Sequence, residues 1–313
     1  MRILIAGASG ALGRELVPIL DAAGHDVIGT TRSASKQAEL AALGAHPLIL
    51  DALDRDAVMR AVTEAKPDVV VHQLTAIAPD ADFTKVDKSL AATNVLRTTG
   101  LDYLLEAAVA AGARRFVAQS FTGWTNPRTG SLVKTEQDPL DDRPPASAQH
   151  TLAAIRHVEE ATTGAPGIAG VALRYGMFYG TGNAISPEGS AGQMVLKRRL
   201  PIVGNGQGVW SFIHITDAAQ ATALAIQSDV TGLYNIVDDE PAPVATWLPY
   251  LAGVLGAKPP MHVPTWLGRA VGGAGAVNAM TANRGSSNAK AKRDLGWTLR
   301  YPSWRDGFAT FAR

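Results

Sequence analysis

Short apolar runs alternate with longer amphipathic segments over the first half of the chain. The apolar runs predict strands at residues 2–6, 26–30, 47–50, 68–72, 115–120 and 170–175. Apolar residues recur at helical spacing in segments 12–23, 55–65 and 95–111. Continuous β-branched runs such as VVVH are typical of strands buried on both faces. The alternation predicts an α/β fold with a doubly wound parallel Rossmann sheet.

The pattern changes after Tyr175, where glycine and proline become frequent and the helical segments become irregular. We therefore expect residues 1–175 to form the Rossmann domain and segment 210–237 to return to it. Segments 176–209 and 238–313 are expected to form a smaller C-terminal lobe that binds substrate.

A glycine-rich turn directly follows the first predicted strand and opens the first predicted helix. Glycines in such a turn let backbone N–H groups approach a pyrophosphate, and the helix N-terminus adds partial positive charge. The alternative is a merely tight turn between strand and helix. The position predicts dinucleotide binding by Gly7, Ser9, Gly10, Ala11, Leu12 and Gly13.

The end of the second strand indicates which dinucleotide is bound. An acid there would accept a hydrogen bond from the ribose 2′-OH of NAD, but this chain has Thr31 followed by Arg32. A guanidinium can hold a 2′-phosphate with two parallel hydrogen bonds. NADP(H) is therefore favoured and NAD(H) remains possible; the alternative for Arg32 is a solvated basic loop. Ser33, Ser35 and Lys36 could add contacts.

Composition narrows the function classes. The 313 residues carry a formal net charge of +1, so no global field recruits nucleic acid. There is no cysteine, which excludes disulfides and thiolate catalysis and fits a reducing compartment. No apolar run approaches the roughly 20 residues that span a bilayer. We expect a cytoplasmic protein with no leader, membrane partner or nucleic-acid partner.

Further segments, in serial order, carry a family resemblance. They are VVVHQLTA at 69–76, NVLRTT at 94–99, RYGMFYG at 174–180, PIVGNG at 201–206, SFIHITD at 211–217 and SNAK at 287–290. Together they resemble the extended short-chain dehydrogenase/reductase family of NAD-dependent epimerases and dehydratases. The resemblance implies a nicotinamide cofactor contacted also by Leu74, Thr75, Gln119, Tyr175 and Phe178.

Two more expectations concern the adenine and the assembly. Asp51, Ala52 and Leu53 follow the third strand and could hold the adenine; the alternative is a strand-end turn. Helical segments 90–111 and 151–163 carry more apolar positions than one sheet-facing stripe requires. Members of the family pair these two helices, so the resemblance implies a homodimer.

The family's Tyr-x-x-x-Lys motif is missing. None of the six tyrosines has a lysine four residues later. The helix that should carry the motif lies near residues 148–160, and counting back from Glu159 puts Thr151 and Ile155 at the two positions. The alternative register, one residue later, puts Leu152 and Arg156 there. In both registers the usual acid is gone.

Other residues are candidates for the lost proton transfer. Phe121 stands at the family's usual serine or threonine position, flanked by Ser120 and Thr122. Either hydroxyl could polarise a carbonyl at the strand's carboxyl edge; the alternative is a hydroxyl satisfied by local backbone. His150 is the titratable group nearest the missing tyrosine, although a surface histidine opening a helix is the plainer interpretation.

Aromatic residues near the expected cleft bear on the substrate. Where nucleotide-sugar enzymes of the family usually have an arginine, this chain has Trp210. With Phe121, Trp124 and Met177, it predicts an apolar-leaning pocket; the alternative is that these side chains fill core space. No ligand cluster predicts a metal, and His214 and Asp217 are expected to be structural.

Two functions follow from these observations. The first is an NAD(P)(H)-dependent oxidoreductase or epimerase/dehydratase that acts on a small, apolar-leaning carbonyl-type substrate with an atypical proton donor. The alternative is a catalytically degenerate NADP(H)-binding sensor or partner-binding protein. The missing motif favours the second, and the retained substrate lobe favours the first.

Overall fold

The computed structural model of the protein describes residues 1–78 and 85–312. Its strands are β1 (Arg2–Ala6), β2 (Asp26–Thr31), β3 (His46–Ile49), β4 (Val69–His72), β5 (Arg115–Phe121), β6 (Val133–Lys134), β7 (Ala169–Tyr175), β8 (Met177–Tyr179), β9 (Ile202–Val203), β10 (Val209–Trp210), β11 (Phe212–His214), β12 (Gly232–Ile236), β13 (Ala242–Pro243), β14 (His262–Val263) and β15 (Gly285–Ser286).

The α-helices in these ranges are α1 (Ala11–Ala22), α2 (Gln37–Ala42), α3 (Arg55–Ala65), α4 (Val86–Ser89), α5 (Ala91–Val95), α6 (Leu101–Ala110), α7 (Gln149–Gly164), α8 (Ser190–Leu196), α9 (Ile215–Gln227), α10 (Val244–Val254), α11 (Thr265–Thr281), α12 (Ala289–Leu295) and α13 (Trp304–Ala309). Among the described residues, no helix has the length and apolar character that crossing a bilayer requires. The cytoplasmic location stays a prediction.

Seven parallel strands form the central sheet in the order β12-β7-β5-β4-β1-β2-β3. One face packs against α1 and α9, and the other packs against α3 and α6. Strand β4 is buried along its whole length, as its unbroken β-branched sequence predicts. The predicted doubly wound Rossmann sheet is confirmed. The strand order reverses beside β1 and β4, and open α/β sheets bind ligands at such a point.

The predicted strand ends agree with the structure to within about one residue, the usual scatter of boundary assignments. The longest predicted helix differs more. Segment 95–111 is divided into α5, a π-helical turn at Leu96–Gly100, and α6. The strand β12 was not predicted as such; it and α9 come from segment 210–237 and complete the sheet and one helical layer.

A second apolar core lies outside the sheet. Tyr179, Phe212, Trp247 and Phe308 pack there, with the Tyr179 and Phe308 ring centroids 5.1 Å apart and nearly perpendicular. Edge-to-face contacts of this kind add to the free energy gained by burying large rings. These residues come from the segments predicted as the C-terminal lobe and from β11, which pairs with β8 and not with the central sheet.

Candidate active site

The glycine-rich turn between β1 and α1 brings backbone close to the sheet edge. Gly7 has a φ of +96°, and a Cβ there would lie 2.7 Å from the Gln73 carbonyl oxygen. At Gly13, a Cβ would lie against the Ala8 carbonyl. Only glycine fits both positions without strain. The turn therefore leaves an open backbone cradle directly before the first residue of α1.

A cleft of about 240 Å³ opens beside this turn. Its lining contains eight of the predicted cofactor residues: Gly7, Ser9, Gly10, Thr31, Arg32, Ala52, Leu74 and Thr75. Six further residues complete it: Thr30, Ser33, Lys36, Leu50, Gln73 and Leu96. Among these described lining residues, two are basic and none is acidic.

The other eight predicted cofactor residues do not line this cleft. They are Ala11, Leu12, Gly13, Asp51, Leu53, Gln119, Tyr175 and Phe178. Leu12 and Gly13 are buried in packing under the turn. Asp51 instead accepts a hydrogen bond from the Leu53 amide at 3.0 Å. Tyr175 is buried, and its hydroxyl lies 2.7 Å from Thr222 Oγ1. Their cofactor contacts stay predictions.

Gln73 is a site residue that the sequence analysis did not select. It follows β4 directly, and its Nε2 donates to the Tyr175 hydroxyl at 3.3 Å. Its Oε1 is buried without a hydrogen-bond partner. Buried acceptors are rarely left unsatisfied, so a ligand hydroxyl or amide in the cleft would complete this group. Its place at the carboxyl edge of a central strand was the available signal.

The described residues fit a nicotinamide dinucleotide. Gly7 and Gly10 leave room for a pyrophosphate, and the Gln73 acceptor can take a ligand donor. At the end of β2, Arg32 is exposed and forms no hydrogen bond with a described residue, whereas Thr31 Oγ1 accepts from Ser9 Oγ at 3.3 Å. When bound, such a cofactor supplies or accepts a hydride.

Ser120, one of the predicted catalytic residues, points into a buried polar cluster. Its hydroxyl donates to Glu159 Oε1 at 2.7 Å. Arg174 binds the same carboxylate through Nε at 2.7 Å and Nη2 at 2.6 Å. Both charged side chains are buried, which makes the pair costly to disrupt. The Ser120 hydroxyl therefore donates its hydrogen bond to a side chain of α7.

The other two predicted catalytic residues lie elsewhere. Thr122 is buried, with its Oγ1 2.6 Å from Ser286 Oγ on β15. His150 is exposed in the first turn of α7, where its backbone amide donates to Asp87 at 3.0 Å. The structure does not bring Ser120, Thr122 and His150 together around one point, and their catalytic roles stay predictions.

The buried Glu159 also favours one register for the missing motif. Glu159 is bound by Arg174, whereas Glu160 is exposed. Counting from Glu159 puts Thr151 and Ile155 at the tyrosine and lysine positions. Thr151 is buried, and its Oγ1 accepts from Asn94 Nδ2 at 2.9 Å.

An apolar cluster contains Phe121 and Ile155, which the register counted from Glu159 aligns with the family's serine and lysine. Phe121 and Trp124 pack against Leu140, Leu152 and Ile155. The Phe121 and Trp124 ring centroids are 6.3 Å apart. Because the described part of this cluster offers no ionisable side chain, it can shape a hydrophobic surface but cannot transfer a proton.

The remaining predicted substrate residues belong to the second core. Met177 and Trp210 pack against that core, and Trp210 Nε1 donates to the Ala279 carbonyl at 2.8 Å, which fixes the indole against α11. The four predicted substrate residues thus fall in two separate apolar clusters. Their substrate contacts stay predictions.

Two buried tyrosines are poor replacements for the lost acid. Burial raises the pKa of the Tyr175 hydroxyl far above its ordinary value. Burial, followed by the charges of nearby carboxylates, does the same to the pKa of Tyr179. Both shifts stabilise the neutral phenol and make proton release near neutral pH harder.

The sheet, the glycine turn and the cleft define a dinucleotide-dependent enzyme of the Rossmann type. Comparison with known proteins gives the family. The model of the NAD dependent epimerase/dehydratase family matches residues 3–237, and the chain belongs to that family. It is an NAD(P)-dependent enzyme of the extended short-chain dehydrogenase/reductase type, so the resemblance drawn from the sequence is confirmed.

Individual relatives cover nearly the whole chain. A 3-diazoavenalumate denitrifying reductase from a Streptomyces species is 42% identical over 98% of this chain and 99% of its own length. A 4-hydroxy-2-methyl-3-oxo-4-farnesyl-3,4-dihydroquinoline-1-oxide ketoreductase from Stigmatella aurantiaca is 28% identical, covering 82% and 74% of the two chains. The structure of a UDP-glucose 4-epimerase from Thermotoga maritima, 20% identical, matches the fold with a TM-score of 0.77 over 100% and 97% of the chains.

Proposed function

We propose that this protein is an NADPH-dependent reductase that removes a diazo group from a small aromatic carboxylate. The observation that carries the proposal is the apolar cluster around Phe121 and Ile155, which stands where the family places a serine and a lysine. A site without a placed proton donor suits an acceptor that takes a hydride alone. The 42% identity to a reductase named for a diazo substrate supports the same reaction class.

The proposed reaction balances without a protein acid. An arenediazonium group accepts a hydride at its terminal nitrogen. The carbon–nitrogen bond then breaks, the hydrogen passes to the ring carbon, and N₂ leaves. The cation and the hydride sum to a neutral arene and N₂, so no net proton is consumed. Reduction of a ketone, in contrast, leaves an alkoxide that must be protonated, which is the work of the family's missing tyrosine.

The roles of this chain's residues follow from their placement. The backbone at Gly7 and Gly10 would hold the cofactor's pyrophosphate, and the Gln73 Oε1 acceptor would orient a ligand donor at the sheet edge. Phe121 and Trp124 would stack along a planar ring and exclude water from the acceptor.

A substrate panel tests the proposal. The purified protein is incubated with NADPH and either an arenediazonium carboxylate or a ketone of matched size. NADPH absorbance and the masses of the products are followed, with enzyme-free mixtures as controls for spontaneous reduction. We expect faster NADPH consumption and a product that has lost N₂ only with the diazonium. No enzyme-dependent turnover of either substrate would contradict the proposal and favour a cofactor-binding sensor.

A carbonyl substrate is the second candidate. The 28% identical relative is named a ketoreductase, and the Thr122 hydroxyl follows the end of β5 directly. A carbonyl reductase needs a proton source, for which Thr122, Ser120 and His150 are the candidates. Ketone turnover in the panel, with the diazonium inert, would establish this alternative.

Preference for NADP(H) is part of the proposal. Arg32 and Lys36 both line the cleft, and no described residue of the lining is acidic. A free guanidinium beside the ribose would favour a 2′-phosphate over a 2′-hydroxyl. NADH remains a possible weaker cofactor.

We also propose a homodimer. A shallow groove lined mainly by apolar atoms runs between α6 and α7, and Leu105, Val109 and Ala161 contribute to it. Val109 is 41% exposed and extends this apolar surface, and contiguous exposed apolar patches mark protein–protein contacts. Light scattering at micromolar concentration should give the mass of two chains. Val109→Glu should shift it to one chain, whereas Val271→Glu on α11 should not; a monomeric wild-type protein would overturn the proposal.

A further inference from the structure

A π-helical turn joins α5 to α6. Leu96–Gly100 forms this turn, in which backbone hydrogen bonds reach back five residues instead of four. Such turns change the direction of side chains and often occur at functional sites. Leu96 lines the cofactor cleft, and the turn packs against α7. The turn thus lies between the cleft and the helix that lacks the family's lysine.

Arg97, the second residue of the turn, carries a buried guanidinium. The residue is 5% exposed, and its Nε and Nη1 atoms have no hydrogen-bond partner. No described carboxylate forms an ion pair with it, and burial alone lowers its pKa to about 10. Arg97 therefore remains a cation at neutral pH. An uncompensated buried charge costs several kcal/mol, and an anion from outside the described fold would offset that cost.

Arg97 does not itself line the cleft, but it lies near His72, which directly precedes residues that do. His72, the last residue of β4, lies 3.0 Å from the Leu96 carbonyl through Nε2, which makes Nε2 the donor. Burial lowers the pKa of His72 to about 4, and the charge of Arg97 adds a smaller lowering, so the two side chains are close. The neutral His72 is not a counter-ion. The residues after it, Gln73 to Thr75, line the cleft.

We infer that Arg97 binds an anionic oxygen group of a ligand in this cleft, and that it supplies from the π turn the positive charge that the family places on α7. The identity of the ligand in this inference rests on the proposed function. The anion is either the carboxylate of the aromatic substrate or the diphosphate of the cofactor. Both offer oxygens to the unpaired Nε and Nη1 donors, a geometry that guanidinium groups bind well.

Binding titrations that need no turnover test the inference. Dissociation constants are measured for NADP⁺, and then, with NADP⁺ bound, for p-coumarate and its uncharged amide. The proteins are the wild type, Arg97→Met, Arg97→Lys and the exposed control Arg60→Met on α3. We expect Arg97→Met to raise the dissociation constant of either p-coumarate or NADP⁺ by about 10- to 100-fold. The dissociation constant of the amide should rise by less than about threefold. The ligand that is weakened identifies the source of the anion, and Arg97→Lys should restore part of its affinity.

Unchanged affinity of Arg97→Met for both p-coumarate and NADP⁺ would overturn the inference. The unfolding temperature provides a second readout. Because a neutral side chain removes the cost of an unpaired charge, Arg97→Met should be at least as stable as the wild type. Marked destabilisation of Arg97→Met together with wild-type affinities for both ligands would indicate a structural role and contradict the inference. Since p-coumarate has no diazo group, these results do not depend on whether the proposed reduction occurs.

Arg97→Lys provides the decisive comparison if Arg97→Met is too unstable to titrate. It keeps the charge but not the paired donors of the guanidinium, so the inference requires weaker binding of p-coumarate or NADP⁺ than in the wild type. Wild-type affinities of Arg97→Lys for both ligands would overturn it.

Discussion

The cofactor cleft and the apolar cluster at α7 differ in how far they keep the features that the family resemblance implies. At the cleft, Gly7 and Gly10 keep the open backbone turn, and Arg32 adds a cation that is unpaired among the described residues. At α7, Ile155 joins Phe121 in an apolar cluster. Under the proposed function, this contrast suits a substrate that accepts a hydride and needs no proton from the protein.

A buried ion pair holds α7, and removing this pair should have the largest effect, on the stability of the protein. Glu159→Ala leaves the Arg174 guanidinium buried without its carboxylate. We expect the free energy of unfolding to fall by about 3–5 kcal/mol. Denaturant unfolding would measure it. Glu160→Ala, on the exposed neighbour, should stay within about 0.5 kcal/mol; equal effects of the two substitutions would contradict the stabilising role of the ion pair.

Replacing Arg32 in the cofactor cleft should have an intermediate effect, on the affinity for NADPH. Arg32→Asp should weaken NADPH binding by about 1–3 kcal/mol, because a charged hydrogen-bond partner of the 2′-phosphate is replaced by a repelling carboxylate. Affinity for NADH should change less. Arg60→Asp makes the same charge change at an exposed position on α3. Fluorescence titration of the three proteins would measure this, and equal wild-type affinities for NADPH and NADH would contradict it.

The smallest effects are expected at the candidate proton donors. With an arenediazonium substrate, Ser120→Ala, Thr122→Val and His150→Ala should each retain kcat within about tenfold, because none has to deliver a proton. Steady-state kinetics at saturating NADPH would measure this. A loss of about 100-fold or more in one variant would identify that residue as the acid and favour a carbonyl substrate.

Local patterns predicted the fold, and eight of the sixteen expected cofactor residues line the cleft, because these features depend on short stretches of sequence. The Gly7–Gly13 turn and the end of β2 at Thr31 can be recognised from residues adjacent in sequence. The cluster around Ile155 cannot, because Phe121 and Leu140 come to it from separate segments. The partner of Ser120 is likewise set by packing, because Glu159 approaches from a helix 39 residues away.

The π turn had no signal in the residue pattern. Segment 95–111 has the apolar spacing of one continuous helix, and a single inserted residue changes the direction of Arg97 without changing that spacing noticeably. The sequence predicts that residues just after strand ends line the site, but it does not predict which of them, such as Gln73, take part. That depends on the side chains across the sheet edge, here on the Tyr175 hydroxyl.

The isotope dependence of kcat/KM tests the central claim most directly. Turnover of an arenediazonium substrate is measured with NADPH deuterated at the transferred position, and separately with ordinary NADPH in heavy water. If hydride transfer proceeds without a protein acid, the deuterated cofactor slows the reaction and heavy water leaves kcat/KM unchanged. Slowing in heavy water, with the cofactor label silent, would mean that a proton moves in the limiting step and would contradict the account.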